Sequence, residues 1–202
     1  DLVRSRGLGD VYKRQYADSS TDIDLYNYLM EGLTRLDQKG QPQPGIASSW
    51  EVTEDGLVWS FHLRDSVWSD GSMVKASQFR AGCLRTLSPY KPSSYAYILD
   101  AIVNATEYAA GKVSGSDVGI LVPDEKTIVF RLLHPVTYFD ALVAMPAFSP
   151  IREDLIGSDG IYNEDLLKVV GNGPFALTAW EKGKTMVFQK NPHYWASDRI
   201  RL

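Results

Sequence analysis

The strongest pattern along the chain is an alternation of apolar and polar residues from Leu57 to Arg64. A repeat of two residues is typical of a β-strand with one buried face. Aspartate followed by glycine at 55–56 and again at 70–71 predicts a turn on each side of this strand, because glycine adopts a positive φ at little cost. The apolar face of the predicted strand consists of Leu57, Trp59, Phe61 and Leu63.

A helix is predicted directly after the second turn. Its apolar residues recur every three or four positions, which is the spacing of one helix face. We expect this face to pack on the apolar side of the preceding strand. The residues of the face are Phe79, Cys83, Leu84 and Leu87.

The same two periodicities predict helices and strands elsewhere. Gly32 is placed to end the first of these helices in a left-handed conformation, and Pro42 and Pro44 indicate a loop, because proline cannot donate to a β-ladder. The turn-rich segment 123–126 joins two strands into a hairpin. The predicted helices are 25–33, 95–110, 138–143 and a short one within 157–168, and the predicted strands are 118–122, 127–133, 175–179 and 186–189.

The first fifteen residues differ in character from the rest. Residues 6–15, RGLGDVYKRQ, resemble the translation of a transposon-type sequencing adapter, so we expect residues 1–15 to be unstructured. The alternative is a short basic arm that binds nucleic acid or a membrane. We attribute the lack of a signal segment to a chain that is cut at its front end.

Composition fits one large globular domain or two small ones, since 44% of the residues are apolar and 11% are aromatic. The segment 1–15 holds four basic and two acidic residues, and without it the net charge falls from −4 to −6. An acidic chain is a poor ligand for nucleic acid. No run of 18 apolar residues is present that would predict a membrane span.

Few residues suggest chemistry. The three histidines, His62, His134 and His193, are too far apart in sequence for a structural zinc site, and no glycine-rich phosphate loop is found. Cys83 lies on a predicted apolar helix face, which favours a buried structural thiol. Asp70 resembles a catalytic acid, but a turn-forming aspartate before glycine accounts for it. We therefore predict no cofactor and no metal.

Three sets of residues resemble the signature of family-5 extracellular solute-binding proteins, the receptors for oligopeptides, dipeptides and nickel in ABC importers. The first is LVWSFHLRDSVWSDGSMVKASQF at 57–79. The second is MEGL at 30–33, followed by PQPGIASSW at 42–50. The third is GNGPF at 171–175, followed by Trp180 and by NPHYW at 191–195. In this third set, Gly171 and Gly173 permit a close backbone approach.

One position departs from the family pattern. The family usually carries TPVTA after the S-D-G turn, and its second threonine caps the helix. Lys75 occupies that place here, and lysine can neither accept a hydrogen bond nor favour the positive end of the helix dipole. Ser77 is an alternative cap, which would start the helix two residues later.

The resemblance implies an α+β (mixed α/β) fold, as an N-terminal fragment of the two-lobed type II periplasmic-binding-protein fold with an inserted smaller α/β domain. It covers nearly all of residues 18–202 and less than half of a full family member. The implied division is 1–15 as adapter-derived, 16–49 as a piece of the first lobe, 50–170 as the inserted domain with the signature strand and helix, and 171–202 as the return to the first lobe.

The resemblance also implies a function. The protein would be the substrate-binding component of an ABC peptide importer, monomeric and without enzymatic activity. It would capture oligopeptides in the periplasm, or at the cell surface on a lipid anchor, and deliver them to the permease subunits. Alternatives are a receptor for dipeptides, nickel chelates or another small solute, and, from a different class, a hydrolase.

Four residues are candidates for ligand contact by the same resemblance. In oligopeptide receptors an extended stretch before the first helix pairs with the peptide backbone, and this stretch corresponds to Asp18, Ser19 and Ser20. Tyr95 matches a tyrosine that faces the ligand, where its phenol would supply apolar area and a hydrogen bond. The alternatives are a polar loop at 18–20 and ordinary packing for Tyr95.

Overall fold

The structure is a computed structural model, and it describes residues 2–3, 20–90, 93–156, 169–181 and 184–201. The chain forms two compact units. Unit 1 comprises 1–31, 65–74 and 152–202, and unit 2 comprises 32–64 and 75–151. The division predicted from sequence, with boundaries near 49 and 170, does not coincide with these units.

Unit 2 is built on a four-stranded antiparallel sheet. Its strands are β4 (Ala47–Val52), β5 (Val58–Leu63), β6 (Ile120–Asp124) and β7 (Thr127–Arg131), and they lie in the order β4-β5-β7-β6. Strand β5 is the alternating segment, and its burial alternates as predicted, with Trp59, Phe61 and Leu63 buried.

Aromatic rings form the centre of the unit 2 core. The ring of Phe130 lies edge-on to those of Phe61, Phe139 and Phe148, with centroids 5.9, 5.3 and 5.9 Å away. All four side chains are fully buried. Edge-to-face pairs at these distances add to the stabilisation from burial alone, because the positive ring edge meets the negative face.

Helix α2 (Ala76–Thr86) follows the strand as predicted, but its buried face differs from the prediction. Phe79 and Cys83 are fully buried, whereas Leu84 is only half-buried and lies beside Gly115. The buried face of α2 turns toward Gly82 instead. A Cβ on Gly82 would lie 1.8 Å from the carbonyl oxygen of Ser149, so only glycine fits there. The missing side chain lets the two backbones meet.

The start of α2 is settled by its neighbours. Lys75 is the N-cap residue, and the alternative start after Ser77 is wrong. The Lys75 N–H donates to the side chain of Gln78 (2.9 Å), and the Ala76 N–H donates to the carbonyl of Glu125 (2.9 Å). The β6–β7 turn therefore satisfies a helix donor that a capping side chain normally satisfies.

One predicted helix of unit 2 fails to form because tertiary contacts override the local sequence pattern. The predicted helix 95–110 is a 3-10 turn (Ala96–Leu99) and a short helix α3 (Ala105–Ala109). Between them Ile102 bridges to Leu132, and the Val103 N–H donates to the carbonyl of Arg131, so these residues join the sheet instead of a helix. Asn104 then takes φ 61°, a left-handed conformation that ends any helix.

The remaining elements of unit 2 are short. The predicted loop with Pro42 and Pro44 is strand β3 (Pro42–Pro44), which pairs only with β2 (Thr34–Leu36) in a two-stranded sheet. Proline is tolerated in such edge positions. Helix α4 (Phe139–Leu142) lies where it was predicted.

Unit 1 contains helix α1 (Ser20–Leu29) and the hairpin of β8 (Phe175–Glu181) and β9 (Thr185–Lys190). Helix α1 ends four residues before the predicted end at residue 33, and Gly32 does not take a positive φ. Gly32 belongs to unit 2, where a Cβ would lie 2.9 Å from the carbonyl oxygen of Val143. This glycine serves close approach and does not end the helix.

Strand β1 (Leu2–Val3) pairs antiparallel with β9 at Val187 and Met186. This pairing differs from the expectation that 1–15 is unstructured, because the outer edge of β9 offers main-chain hydrogen bonds to any extended segment. The other residues of 1–15, and the short helix predicted within 157–168, lie outside the described residues.

Trp59 allows a direct test of the unit 2 core. We expect Trp59→Ala to lower the free energy of unfolding by about 3–5 kcal/mol, the usual cost of truncating a buried aromatic. The indole N–H has no hydrogen-bond partner among the described residues. Trp59→Phe, the matched control, keeps an aromatic ring and loses no hydrogen bond, so it should cost clearly less than Trp59→Ala. Urea denaturation followed by circular dichroism measures both, and equal losses would contradict this packing.

Candidate ligand-binding site

Of the four candidate ligand residues, the structure describes Ser20 and Tyr95. Ser20 is the first residue of α1, so the prediction that it belongs to an extended stretch is wrong. The chain has already entered the helix there. Asp18 and Ser19 lie outside the described residues. Ser20 belongs to unit 1 and Tyr95 to unit 2.

Tyr95 directly precedes the 3-10 turn at Ala96–Leu99. Its N–H donates to the hydroxyl of Ser93 (3.2 Å), and its ring lies 6.4 Å from that of Tyr97, centroid to centroid. Tyr95 is half-buried, while Tyr97 is exposed and Leu99 is fully buried. The turn is thus anchored by Leu99 and presents two tyrosines, and a ligand role for Tyr95 stays a prediction.

The end of α1 is fastened by Asn172, whose role the sequence did not reveal. The Asn172 side-chain oxygen accepts from the Glu31 N–H (3.1 Å), and its amide nitrogen donates to the Glu31 carbonyl (2.9 Å). The Gly173 N–H donates to the carbonyl of Leu29 (3.0 Å). These three hydrogen bonds, which we call the α1 clamp, satisfy main-chain groups just past the end of the helix.

The two glycines beside Asn172 make the clamp possible. A Cβ on Gly171 would lie 2.1 Å from the carbonyl oxygen of Leu29, and one on Gly173 would lie 2.5 Å from the Leu29 carbonyl carbon. No side chain fits at either distance. The predicted close backbone approach of Gly171 and Gly173 is therefore confirmed, with α1 as the partner.

Further contacts support the clamp. The indole N–H of Trp195 donates to the carboxylate of Glu31 (3.1 Å), and the Arg199 guanidinium lies 5.9 Å from the centre of the Trp195 ring. The amide nitrogen of Asn191 donates to the carbonyl of Gly173 (2.9 Å). Glu31 of MEGL therefore meets residues of GNGPF and NPHYW, which are far away in sequence, in one cluster of unit 1.

The turn at 68–72 binds to the same loop. The Ser69 N–H donates to the Gly171 carbonyl (2.7 Å), and the Gly171 N–H donates to the Ser69 hydroxyl (3.2 Å). Trp68 is fully buried, with the Arg152 guanidinium 6.0 Å from its ring centre. The signature turn is therefore a structural part of unit 1.

Asp70 has hydrogen-bond partners within this turn. Its carboxylate accepts from the N–H and hydroxyl of Ser72 (3.0 and 2.6 Å) and from the Arg152 guanidinium (2.8 Å). Burial raises the pKa of Asp70, but the hydrogen bonds from Ser72 and then the Arg152 guanidinium outweigh it and lower the pKa from 3.8 to about 2. A general acid or base needs a pKa near the working pH, so this carboxylate is suited to a structural role.

The other candidate groups also have structural settings. Cys83 is fully buried, as predicted, and that burial raises the pKa of its thiol far above the usual range. Within the described ranges, no three His, Cys, Asp or Glu side chains come close enough together to hold a metal ion. Nor does any helix in that part of the chain have the length and apolar character to cross a membrane.

The Asp70 contacts predict a pH-dependent stability. The folded-state pKa lies below the unfolded value of 3.8, so the stabilisation is present above pH 3.8 and is lost as the pH falls toward about 2. The Asp70 side chain is 37% exposed, so solvent screening reduces the effect to about 1 kcal/mol. Asp70→Asn should lower unfolding free energy by that amount near neutral pH and by less in acid.

Urea denaturation across this acid range measures the difference between wild type and Asp70→Asn. Asp154→Asn is a comparison variant whose effect should also shrink in acid, because the hydrogen bond from Arg152 lowers the pKa of Asp154 as well. A difference for Asp70→Asn that stays constant with pH would contradict the ion-pair account.

Comparison with known proteins places this geometry in a family. Residues 41–202 match the model of the bacterial extracellular solute-binding proteins, family 5. Oligopeptide-binding protein OppA of Bacillus subtilis is 35% identical over 188 residues, which is 92% of this chain and 34% of OppA. Dipeptide-binding protein DppE of the same organism is 33% identical over 177 residues, 87% of this chain and 33% of DppE.

Solved structures agree. Listeria monocytogenes OppA bound to peptide superposes with a TM-score of 0.91 at 29% identity, covering 99% of this chain and 40% of that one. The chain spans about a third of the length of the curated relatives it matches. The mixed α/β architecture described above is thus part of an OppA-type fold. This chain belongs to the bacterial extracellular solute-binding proteins of family 5.

Proposed function

We propose that the chain is part of the substrate-binding component of an ABC peptide importer. In this role it captures oligopeptides in the periplasm or at the cell surface and delivers them to the permease subunits. The observation that carries the proposal is the family match over residues 41–202, together with the TM-score of 0.91 to an OppA bound to peptide. Binding and release complete the cycle, and no bond of the ligand is made or broken.

The segment in front of α1 stays the candidate for pairing with the peptide backbone. It consists of Asp18 and Ser19. Main-chain hydrogen bonds from such a segment would give affinity without reading the peptide side chains. Tyr95, in unit 2, is half-buried and stays a separate candidate for ligand contact.

A receptor for dipeptides or another small solute is the second candidate. DppE and OppA of Bacillus subtilis are 33% and 35% identical to the chain, so similarity does not separate the two ligand lengths. A receptor for nickel chelates is an alternative of the same class. A hydrolase is the alternative from a different class, and it would turn peptides into products that chromatography detects.

The remaining parts of the proposal concern partners and location. The receptor would act as a monomer, and its partners would be the peptide and the permease, without nucleic acid or a cofactor. A net charge of −4 agrees with the absence of nucleic acid among these partners. A lipid anchor would hold the receptor at the cell surface where no periplasm encloses it.

A chimera tests the binding role. Residues of this chain would replace the matching segment of Bacillus subtilis OppA, which restores the length of a complete relative. We expect the chimera to bind peptides and to release no products. Tyr95→Ala should weaken binding about tenfold, equivalent to about 1.4 kcal/mol, through loss of one aromatic contact.

Tyr97→Ala is the matched control, because Tyr97 lies two residues away in the same turn and is 64% exposed. Calorimetry with short peptides measures both variants. Equal affinities of the Tyr95→Ala and unsubstituted chimeras would remove Tyr95 from the site, and a chimera without any peptide affinity would count against the proposal as a whole.

The 202-residue chain alone is expected to bind peptides weakly or not at all. In a two-lobed receptor, closing the cleft excludes the water that otherwise competes for every hydrogen bond to the ligand. Calorimetry with mixed short peptides at roughly micromolar concentration should show no saturable heat. Bacillus subtilis OppA is the positive control, and tight binding by the isolated chain would reveal a self-contained site.

A further inference from the structure

We propose that Asn172–Gly173 is a latent deamidation site that the α1 clamp keeps closed. Opening of the clamp would expose it, and its conversion to aspartate or isoaspartate would then detach the loop from α1. The inference concerns the stability and ageing of the protein and is independent of the ligand.

The chemistry follows from the residue pair. In an Asn-Gly sequence the glycine nitrogen can attack the asparagine Cγ, forming a C–N bond and expelling ammonia to give a cyclic succinimide. Water then opens the ring on either side, which leaves aspartate or isoaspartate, so that one water is consumed and one ammonia released. Glycine favours the attack because it has no side chain to hinder it and a freely rotating backbone. Asn172–Gly173 is the only Asn-Gly pair in the sequence.

The folded structure blocks each requirement of this reaction. The Gly173 nitrogen must give up its proton, but its N–H is bonded to the Leu29 carbonyl (3.0 Å). The Asn172 amide must turn toward that nitrogen, but both of its ends are bonded to the main chain of Glu31 (3.1 and 2.9 Å). Asn172 is 1% exposed, so water is excluded as well.

The products would not restore the clamp. The Asn172 amide nitrogen donates a hydrogen bond to the Glu31 carbonyl. In aspartate an oxygen takes its place, and an ionised carboxylate oxygen accepts hydrogen bonds but cannot donate one. The carboxylate oxygen and the Glu31 carbonyl oxygen, both acceptors, then face each other in a buried site, and the carboxylate charge is desolvated. Isoaspartate adds a carbon to the main chain, which shifts Gly173 in a space where even a Cβ would lie 2.5 Å from Leu29.

Asn191 is a matched control within the same cluster. It is also 1% exposed, its amide nitrogen donates to the Gly173 carbonyl (2.9 Å) and its side-chain oxygen accepts from the His193 N–H (3.0 Å). The next residue is Pro192, whose nitrogen carries no hydrogen and cannot form the succinimide in this way. Asn172 and Asn191 are therefore equally buried and differ in the residue that follows, which is glycine in one case and proline in the other.

The test is an ageing experiment on the full chain at mildly alkaline pH, folded and in urea. Peptide mapping by mass spectrometry locates the small mass gain and detects isoaspartate. In urea we expect Asn172 to convert faster than every other asparagine, and Asn191 to stay unchanged. In the folded protein the Asn172 rate should fall at least about tenfold, because the site reacts only after local opening.

Two tryptophan variants separate clamp opening from general loss of stability. Trp195→Phe removes the hydrogen bond to Glu31 without touching Asn172, and it should raise the folded-state rate at Asn172 several-fold. Trp50→Phe alters a half-buried, stacked tryptophan in unit 2 and should leave the rate unchanged. Equal rates at Asn172 in folded and unfolded protein, or in the two variants, would overturn the proposal.

The effect of the products is measured on the aged protein itself, so the result does not depend on whether Asn172→Asp folds. After separation, the converted fraction should unfold at lower urea concentration than the unconverted fraction. Identical urea midpoints for the two fractions would show that the conversion leaves α1 attached, and the proposed consequence would be wrong.

Discussion

The hydrogen bonding of Asn172 to the main chain of Glu31 is the contact on which unit 1 depends. A helix ends with carbonyl and amide groups that have lost their partners, and burying them unsatisfied costs more than most single contacts contribute. The Asn172 carboxamide offers both a donor and an acceptor. It can therefore bond to the N–H and the carbonyl of one residue, as a neighbouring β-strand would. Gly171 and Gly173 flank Asn172, because the loop approaches Leu29 more closely than a side chain at either position would allow.

This contact also explains why residues distant in sequence share one cluster. The loop that carries Asn172 is bonded to the signature turn through Ser69 and to the NPHYW segment through Asn191. Each of these neighbours satisfies a main-chain group that the loop would otherwise bury without a partner. The motifs thus contribute residues to one structural arrangement in unit 1.

Patterns that are set locally could be predicted from sequence. Strand β5 followed from its alternation, the β6–β7 hairpin from the turn at 123–126, and the burial of Cys83 from helical spacing. Predictions failed where distant residues decide. Ile102 and Val103 are drawn into bridges with Leu132 and Arg131, and α1 ends early because the chain beyond it bonds to Asn172, 141 residues away. Of the candidate site, sequence supplied residue names but neither the clamp nor the helical state of Ser20.

The cap of α2 has a consequence for how this sequence can vary. Its first N–H is satisfied by the main-chain carbonyl of Glu125, which every amino acid possesses, and the Lys75–Glu125 ion pair is mostly exposed and contributes little. Helix starts usually favour serine, threonine or aspartate at the N-cap, but position 75 does not need one of these residues. A lysine is tolerated there because the main chain of Glu125 accepts the hydrogen bond that a capping side chain would otherwise accept.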